Sequence, residues 1–280
     1  MTTLIKLDTI NNEIVKPIEQ YAGGQLDLRP VKGQQLCREP YANIFLVAKK
    51  KSGKTSAIFK ILKECIGRDT KIIAFVSTLH KDQNWKNIKA YFKRRDTTFV
   101  GYTSLKEDGQ DRLEELVKHL EETAEIEEKE ESKAPVQQTA KGLRFNDDKD
   151  DEQEGGKKEK MLSPEYIIVL DDLSTELKSK SLVSLLKKNR HYKTKVIISS
   201  QYLHDLDPQA RKQIDIWIIF GGQSDEKLKI IYKDSDLSIP FELFYKLYKF
   251  ATRRPFNFFY IDTTSEDYRI GFNKRFTIPD

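Results

Sequence analysis

The chain has 280 residues, of which 38% are hydrophobic and 10% aromatic, which supports a folded core and excludes a wholly disordered chain. Its net charge is +5, and its two cysteines, Cys37 and Cys65, are too few for a disulfide framework or a zinc cluster, which fits a reducing compartment. No apolar run approaches roughly 18 residues and the N-terminus has no signal pattern, so we expect neither membrane insertion nor secretion.

Residues 1–40 alternate only weakly between apolar and polar side chains and contain the turn residues Gly23, Gly24, Pro30 and Gly33. This pattern predicts short extended pieces rather than helices. We therefore expect an N-terminal arm, residues 1–40, packed on a main domain, residues 41–280.

A lysine-rich loop joins a predicted strand at residues 44–48 to a predicted helix at 54–66. Loop amides and a helix N-terminus offer free N–H donors and positive dipole charge, which suit a polyphosphate. The predicted phosphate-binding residues are Lys49, Lys50, Lys51, Ser52, Gly53, Lys54, Thr55 and Ser56.

The order Gly53-Lys54-Thr55 matches the end of a P-loop, and it predicts ATP and Mg²⁺ as ligands. Lys54 would reach the β- and γ-phosphates, and the Thr55 hydroxyl would bind Mg²⁺. Ala48 stands where the motif has its first glycine, which is acceptable if this residue does not need a positive φ. The alternative is a lysine-rich turn before an ordinary helix.

Further apolar runs and helical stripes follow the loop and predict alternating strands and helices. The predicted strands are residues 71–77 and 98–103, and the predicted helices are residues 85–93 and 111–131.

The segment 121–160 loses its apolar periodicity and becomes rich in charge. It holds 14 acidic and 8 basic residues, which leaves 41 basic and 30 acidic residues, a net +11, for the other 240. We expect a disordered, mobile insertion, with an acidic lid that mimics nucleic acid as the alternative. The positive remainder suits a polyanionic partner, although charge also serves solubility.

A buried strand at 166–170 ends in Asp171 and Asp172. In open α/β sheets, ligands bind at the carboxyl ends of the strands, so both carboxylates are expected at that rim. We predict that Asp171 holds Mg²⁺ and that Asp172 orients and deprotonates the attacking water. The alternative for each is an ordinary turn aspartate after a strand.

The next predicted elements are a helix at 175–189, a strand at 195–200 that ends at Gln201, a short helix beginning at Pro208 and a strand at 214–220. Gln201 is predicted to sense the γ-phosphate, and a strand-end amide bonded to backbone is its alternative. Three strand ends on one rim, with a phosphate loop between strand and helix, predict an α/β fold of the P-loop NTPase type.

The run Ile197-Ile198-Ser199-Ser200-Gln201-Tyr202, with Asp207-Pro208 and Arg211 after it, resembles genome-packaging ATPases of large cytoplasmic DNA viruses and virophages. These belong to the FtsK/HerA superfamily of P-loop NTPases. The ending, residues 255–262 and 268–270, is similar to that family's closing hairpin, and the likeness covers roughly residues 41–275. The resemblance implies a RecA-like (ASCE) three-layer sandwich with a mainly parallel central sheet and a C-terminal β-hairpin.

The resemblance also implies a homo-oligomeric ring, a pentamer or hexamer, that threads double-stranded DNA into a capsid by ATP hydrolysis. Arg211 matches the family's arginine after the glutamine-bearing strand, so we predict that it reaches the γ-phosphate of the neighbouring subunit. Its alternative is a helix-end cation paired with Asp205 or Asp207, and Lys49, Lys50 or Lys51 could instead serve in cis. The partner would be a capsid or portal-vertex protein, and the location the host cytoplasm (viral factory) or the virion.

Contacts to DNA are expected from lysines and arginines that grip phosphates without reading bases. The candidates are Lys86, Lys89, Lys93, Arg94, Arg95, Arg253 and Arg254, any of which could be a solvated face. The rival functions are a helicase or DNA-transfer ATPase of the same superfamily, and a nucleotide-binding structural virion protein that does not hydrolyse ATP.

Overall fold

The computed structural model describes residues 29–107, 109–133 and 161–278, and those residues form a nine-stranded sheet and a small two-stranded one. The strands are β1 (Asn43–Val47), β2 (Lys71–Val76), β3 (Phe99–Tyr102), β4 (Lys106–Glu107), β5 (Gln110–Asp111), β6 (Tyr166–Asp171), β7 (Thr194–Ser200), β8 (Ile216–Phe220), β9 (Phe258–Asp262), β10 (Asp267–Ile270) and β11 (Lys274–Arg275). Strands β4 and β5 pair with each other, and the others form the large sheet.

The large sheet has the order β11-β10-β9-β8-β1-β7-β6-β2-β3. The pairs from β8 to β3 are parallel, whereas β9, β10 and β11 add antiparallel strands at the other edge. Strands β1, β6, β7 and β8 are buried along their whole length, as expected for parallel strands covered on both faces. The mainly parallel sheet and the C-terminal hairpin are therefore confirmed.

Helices cover both faces of the sheet. They are α1 (Lys54–Cys65), α2 (Gln83–Lys93), α3 (Arg112–Lys133), α4 (Lys180–Lys188), α5 (Pro208–Arg211), α6 (Asp225–Ser235) and α7 (Phe241–Ala251).

The two faces of the sheet bury separate hydrophobic cores, because alternate strand residues point to opposite sides. On one face, Ile44 and Leu46 of β1 share a core with apolar residues of α1 and α2. On the other face, Phe45 and Val47 share a core with residues of α3, α4, α6 and α7. This arrangement of helix, sheet and helix is the three-layer sandwich that the resemblance implied.

The predicted helix at 175–189 is broken into two pieces. A short 3₁₀ helix occupies Ser174–Lys178, and α4 begins after Ser179, whose side chain accepts a hydrogen bond from the amide of Leu182. Serine favours such N-cap positions because its oxygen satisfies a free helix amide, so the chain starts a new helix there.

The predicted arm and the predicted insertion are only partly within the described residues. Residues 1–28 and 134–160 lie outside them. Within the described part of the arm, Leu36 and Cys37 are buried in the core beneath α1. Helix α3 continues to Lys133, and its Glu127 pairs with Lys193, so the first residues of the segment 121–160 belong to a packed helix.

None of the helices in the described ranges combines the length and the apolar character of a membrane span.

Candidate active site

The three sequence features that suggest chemistry lie side by side because β1, β7 and β6 are neighbours in the sheet. Val47 at the end of β1 is in register with Ser200 of β7, and Asp171 at the end of β6 is in register with Ser199. The P-loop, Gln201 and the Asp171-Asp172 pair therefore leave adjacent parallel strands at one rim of the sheet.

The P-loop follows β1 in a conformation that tolerates Ala48. The amide of Ala48 donates to the carbonyl of Ser200 at 3.1 Å, which continues the β1–β7 pairing for one residue. Ala48 is not among the described residues with positive φ, whereas Lys51 has φ 61° and Gly53 has φ 96°. Glycine is needed only where φ is positive or the space is closed, so alanine at the first motif position carries no backbone strain.

The N-terminus of α1 presents free polar groups to a ligand. Its N-cap, Gly53, makes no side-chain cap, and its first turn holds no acidic residue. The first amides of a helix have no partner inside the helix, and their dipole favours an anion. The Ser52 hydroxyl is buried without a hydrogen-bond partner among the described residues, so it too fits a ligand oxygen.

Lys54 is held between the two carboxylates. Its Nζ lies 3.3 Å from Oδ1 of Asp171 and makes a second, closer contact with Oδ2 of Asp172. The Lys54 side chain is only 12% exposed, so the ion pairs are shielded from bulk water. The structure thus brings together three of the predicted residues, from α1 and from the end of β6.

Asp171 is the more deeply buried of the two carboxylates, with 3% of its surface exposed. Its Oδ2 accepts a hydrogen bond from the indole Nε1 of Trp85 at 2.9 Å, and its Oδ1 accepts one from the Ser199 hydroxyl. These bonds fix the carboxylate in orientation, which is what an oxygen ligand for Mg²⁺ requires. Thr55 supplies a hydroxyl from the same helix turn as Lys54, so the oxygen donors present fit this ion.

The sequence did not predict a role in the site for either Trp85 or Ser199. For Trp85, the available signal is that a buried indole N–H needs an acceptor. For Ser199, the signal is its position on a strand that ends beside the acidic strand.

Asp172 faces the rim and is more accessible, with 28% of its side chain exposed. Nε2 of Gln201 lies 3.3 and 3.4 Å from the two carboxylate oxygens of Asp172, which joins the ends of β6 and β7. The backbone of Asp172 has φ 54°, and its amide donates to the carbonyl of Ser199 at 3.2 Å. Aspartate tolerates this left-handed conformation better than most residues, and here the turn projects its carboxylate toward Lys54 and Gln201.

Arg211 differs from the expected intersubunit cation. Its Nε donates to Oδ2 of Asp234 at 2.6 Å and its Nη1 to the carbonyl of Leu206 at 2.9 Å. Only 8% of its side chain is exposed, so the guanidinium is enclosed within its own subunit rather than presented to a neighbour. Its partner is neither Asp205 nor Asp207, because α6 brings Asp234 over the end of α5.

The loop lysines remain at the surface. Lys49, Lys50 and Lys51 are all exposed residues, and the end of the Lys49 side chain, including its Nζ, lies against Gly222 at the turn after β8. Unlike Arg211, these three lysines are therefore accessible at the surface of the subunit.

The predicted DNA contacts are also exposed. Lys86, Lys89 and Lys93 line the outer face of α2, while Arg253 and Arg254 lie in the turn before β9. The sheet order, the phosphate loop after β1 and the carboxylates after β6 define a P-loop NTPase fold of the RecA-like type.

Comparisons with known proteins agree with this class. Residues 140–242, which include Asp171, Asp172 and Gln201, match the family described as Poxvirus A32 protein. Uncharacterized protein 075L of Invertebrate iridescent virus 6 is 34% identical over 109 residues, which are 38% of this chain and 42% of that protein. The chain therefore matches less than half of that relative's length.

The fold is similar to solved structures of the genome packaging NTPase B204 from Sulfolobus turreted icosahedral virus 2. The complex with AMP has a TM-score of 0.52 and 18% identity, over 83% of this chain and 98% of that one. The complex with AMPPCP has a TM-score of 0.50 and 19% identity, over 83% and 98%. At such identities the likeness establishes the fold. Together with the family match, it confirms the resemblance to viral genome-packaging ATPases that the sequence predicted.

Proposed function

We propose that this protein is a Mg²⁺-dependent ATPase that drives the translocation of double-stranded DNA and packages a viral genome into a capsid. The observation that carries the proposal is the position of Lys54 between Asp171 and Asp172, with Gln201 on Asp172. Residues from three adjacent strand ends meet at the uncapped N-terminus of α1, which is the arrangement that phosphoryl transfer to water needs.

The phosphate end of the site would be formed by the P-loop. Amides of the loop and of the first turn of α1 would surround the β- and γ-phosphates, with Lys54 as their cation. Thr55 and Asp171 would hold Mg²⁺, which when bound neutralises charge on the phosphate oxygens. Trp85 and Ser199 would keep the Asp171 carboxylate in position.

Asp172 and Gln201 would act on the water. Once the Lys54 ammonium moves onto phosphate, the Asp172 carboxylate loses its cation and becomes free to accept a proton from water. Gln201, already within hydrogen-bonding distance of Asp172, would detect the γ-phosphate through the same side-chain contact. The ion pair of Lys54 and Asp172 would thus keep the base inactive until a nucleotide binds.

We infer that a lysine of the P-loop supplies the cation that stabilises the transition state. It would act in cis, on the nucleotide bound by its own subunit. Lys49, Lys50 and Lys51 are exposed beside the site, whereas Arg211 is buried against Asp234. The trans role of Arg211 in a pentameric or hexameric ring remains a prediction, which now requires its buried ion pair to open.

The DNA would be held through its phosphates. Exposed cations on the outer face of α2, and Arg253 and Arg254, would form this surface, and a capsid or portal-vertex protein would dock the ring. We place the protein in the host cytoplasm or in the virion.

ATP hydrolysis with and without duplex DNA tests the proposal. We expect duplex DNA to stimulate hydrolysis in the wild type, and stimulation should weaken steeply with salt because phosphate contacts release counterions. Stimulation by single strands alone would favour a helicase. Absence of hydrolysis by an assembled ring with DNA would favour a structural virion protein and would overturn the proposal.

A further inference from the structure

Phe256 is the most exposed large apolar side chain of the described residues, with 69% of its surface in solvent. It lies in the turn between α7 and β9, directly after Arg253, Arg254 and Pro255. The Phe256 ring makes no aromatic or cation–ring contact with other described residues, unlike the Phe250 ring, which meets Phe276 edge to face and has the Arg253 guanidinium over it.

Phe256 borders the phosphate loop. A methyl group placed on Gly53 would lie 3.5 Å from Cδ1 and 4.0 Å from Cβ of Phe256. Gly53 is the N-cap of α1, so the ring stands beside the point where the helix amides meet a polyphosphate.

The backbone around Phe256 supports the same placement. Its φ is 64°, a left-handed conformation that is unfavourable for a bulky residue. The turn is closed by a hydrogen bond from the Asn257 amide to the Arg254 carbonyl at 3.3 Å. Thr252, in the same connection, packs over Gly221 at the end of β8, so the turn is seated on the rim that carries the site. Strain of this kind is retained where a side chain must be displayed.

The other flank of the P-loop helix offers a groove between α1 and α2, but its aromatic rings are already in use. Phe59 and Tyr91 pack edge to face at 5.1 Å between ring centres. Tyr91 also has the Arg95 guanidinium over its ring at 4.6 Å. The face of Phe256 is therefore the better surface for a flat apolar ligand group.

We propose that Phe256 is the stacking platform for the nucleobase of the bound nucleotide. This inference rests on the proposed ATP site and adds a binding residue outside the P-loop motif. Stacking on an aromatic ring uses the π face that every base has, so Phe256 would strengthen the binding of ATP and GTP alike. It would contribute nothing to the binding of a phosphate chain without a base.

Titration calorimetry with Mg²⁺ and three ligands tests the proposal: the non-hydrolysable analogues of ATP and of GTP, and inorganic tripolyphosphate. Phe256→Ala should weaken both nucleotides by about 5- to 150-fold and leave tripolyphosphate within about twofold of the wild type. Phe256→Trp should restore nucleotide affinity, since it restores the ring. Phe250→Ala is the matched control, because it removes an exposed ring of the neighbouring helix, and it should bind all three ligands normally.

Other results would overturn the proposal. Unchanged nucleotide affinity in Phe256→Ala would show that the base lies elsewhere, and a loss in Tyr91→Ala instead would place it in the groove between α1 and α2. Equal weakening of tripolyphosphate would show that Phe256 only supports the shape of the P-loop. Failure of the wild type to bind any of the three ligands would instead refute the proposed ATP site itself.

Discussion

Replacing Arg211 by alanine distinguishes a structural arginine from an intersubunit one. The guanidinium and the Asp234 carboxylate are 8% and 11% exposed and lie 2.6 Å apart. Removing Arg211 leaves the buried Asp234 carboxylate without its cation. Breaking a buried ion pair in this way typically lowers the free energy of unfolding by about 3–5 kcal/mol. For a domain of this size that loss lowers the melting temperature by about 6–20 °C.

Urea unfolding measures this loss, and Arg190→Ala provides the control. Arg190 also pairs with an aspartate, Asp215, at 3.5 Å, but 60% of its side chain is exposed, so its removal should cost less than about 1 kcal/mol. Adding Asp234→Ala to Arg211→Ala should recover part of the stability, because no unpaired carboxylate then remains.

The competing role makes the opposite prediction. If Arg211 acts on the neighbouring subunit, Arg211→Ala should keep its stability and lose about 10³-fold in the hydrolysis rate of the assembled ring. That result would refute the assignment of Arg211 to the fold and would require its ion pair with Asp234 to open in the ring.

Three further predictions concern the site and the core. Lys54→Ala should abolish nucleotide binding in a fluorescence or calorimetric titration, and retained binding would mean that the phosphate site lies elsewhere. Trp85→Phe removes the indole donor to Asp171 and should raise the Mg²⁺ concentration for half-maximal hydrolysis by about 10-fold or more, whereas an unchanged requirement would argue against Asp171 as the metal ligand. Burial raises the pKa of Cys65 from its ordinary 9.0 to about 11, so the folded protein keeps a proton that the unfolded chain loses. Unfolding free energy should therefore fall by up to about 3 kcal/mol between about pH 9 and 11, and Cys65→Ala should flatten this decline in urea titrations at several pH values.

The fold could be predicted because its signals are local. Apolar runs bounded by turn residues placed the strands β1, β2, β6 and β7 within one residue of their ends, and the P-loop and acidic pair follow two of those strands. Strand order, by contrast, depends on which strand edges pair, and those partners are distant in the sequence. The sequence predicted that the ends of β1, β7 and β6 lie on one rim. It did not predict that these three strands are neighbours in the sheet.

The remaining differences come from contacts that are distant in sequence. No helix is predicted for residues 223–240, yet α6 lies there, capped by the Ser224 side chain and carrying the aspartate that binds Arg211. Trp85 begins the predicted helix at 85–93, but that pattern does not show that its indole donates to Asp171 at the end of β6. Neither pairing can be read from local pattern, since the partners are 23 and 86 residues apart.

In the proposed site, one triphosphate is surrounded by Lys54, Asp171, Asp172 and Gln201, and Asp172 helps to hydrolyse it. The most direct test measures ATP affinity and single-turnover hydrolysis of Asp172→Asn in parallel. The asparagine keeps the size of the side chain but cannot accept the proton, so we predict near-normal binding with hydrolysis about 10²- to 10⁴-fold slower. Hydrolysis at the wild-type rate would contradict the claim.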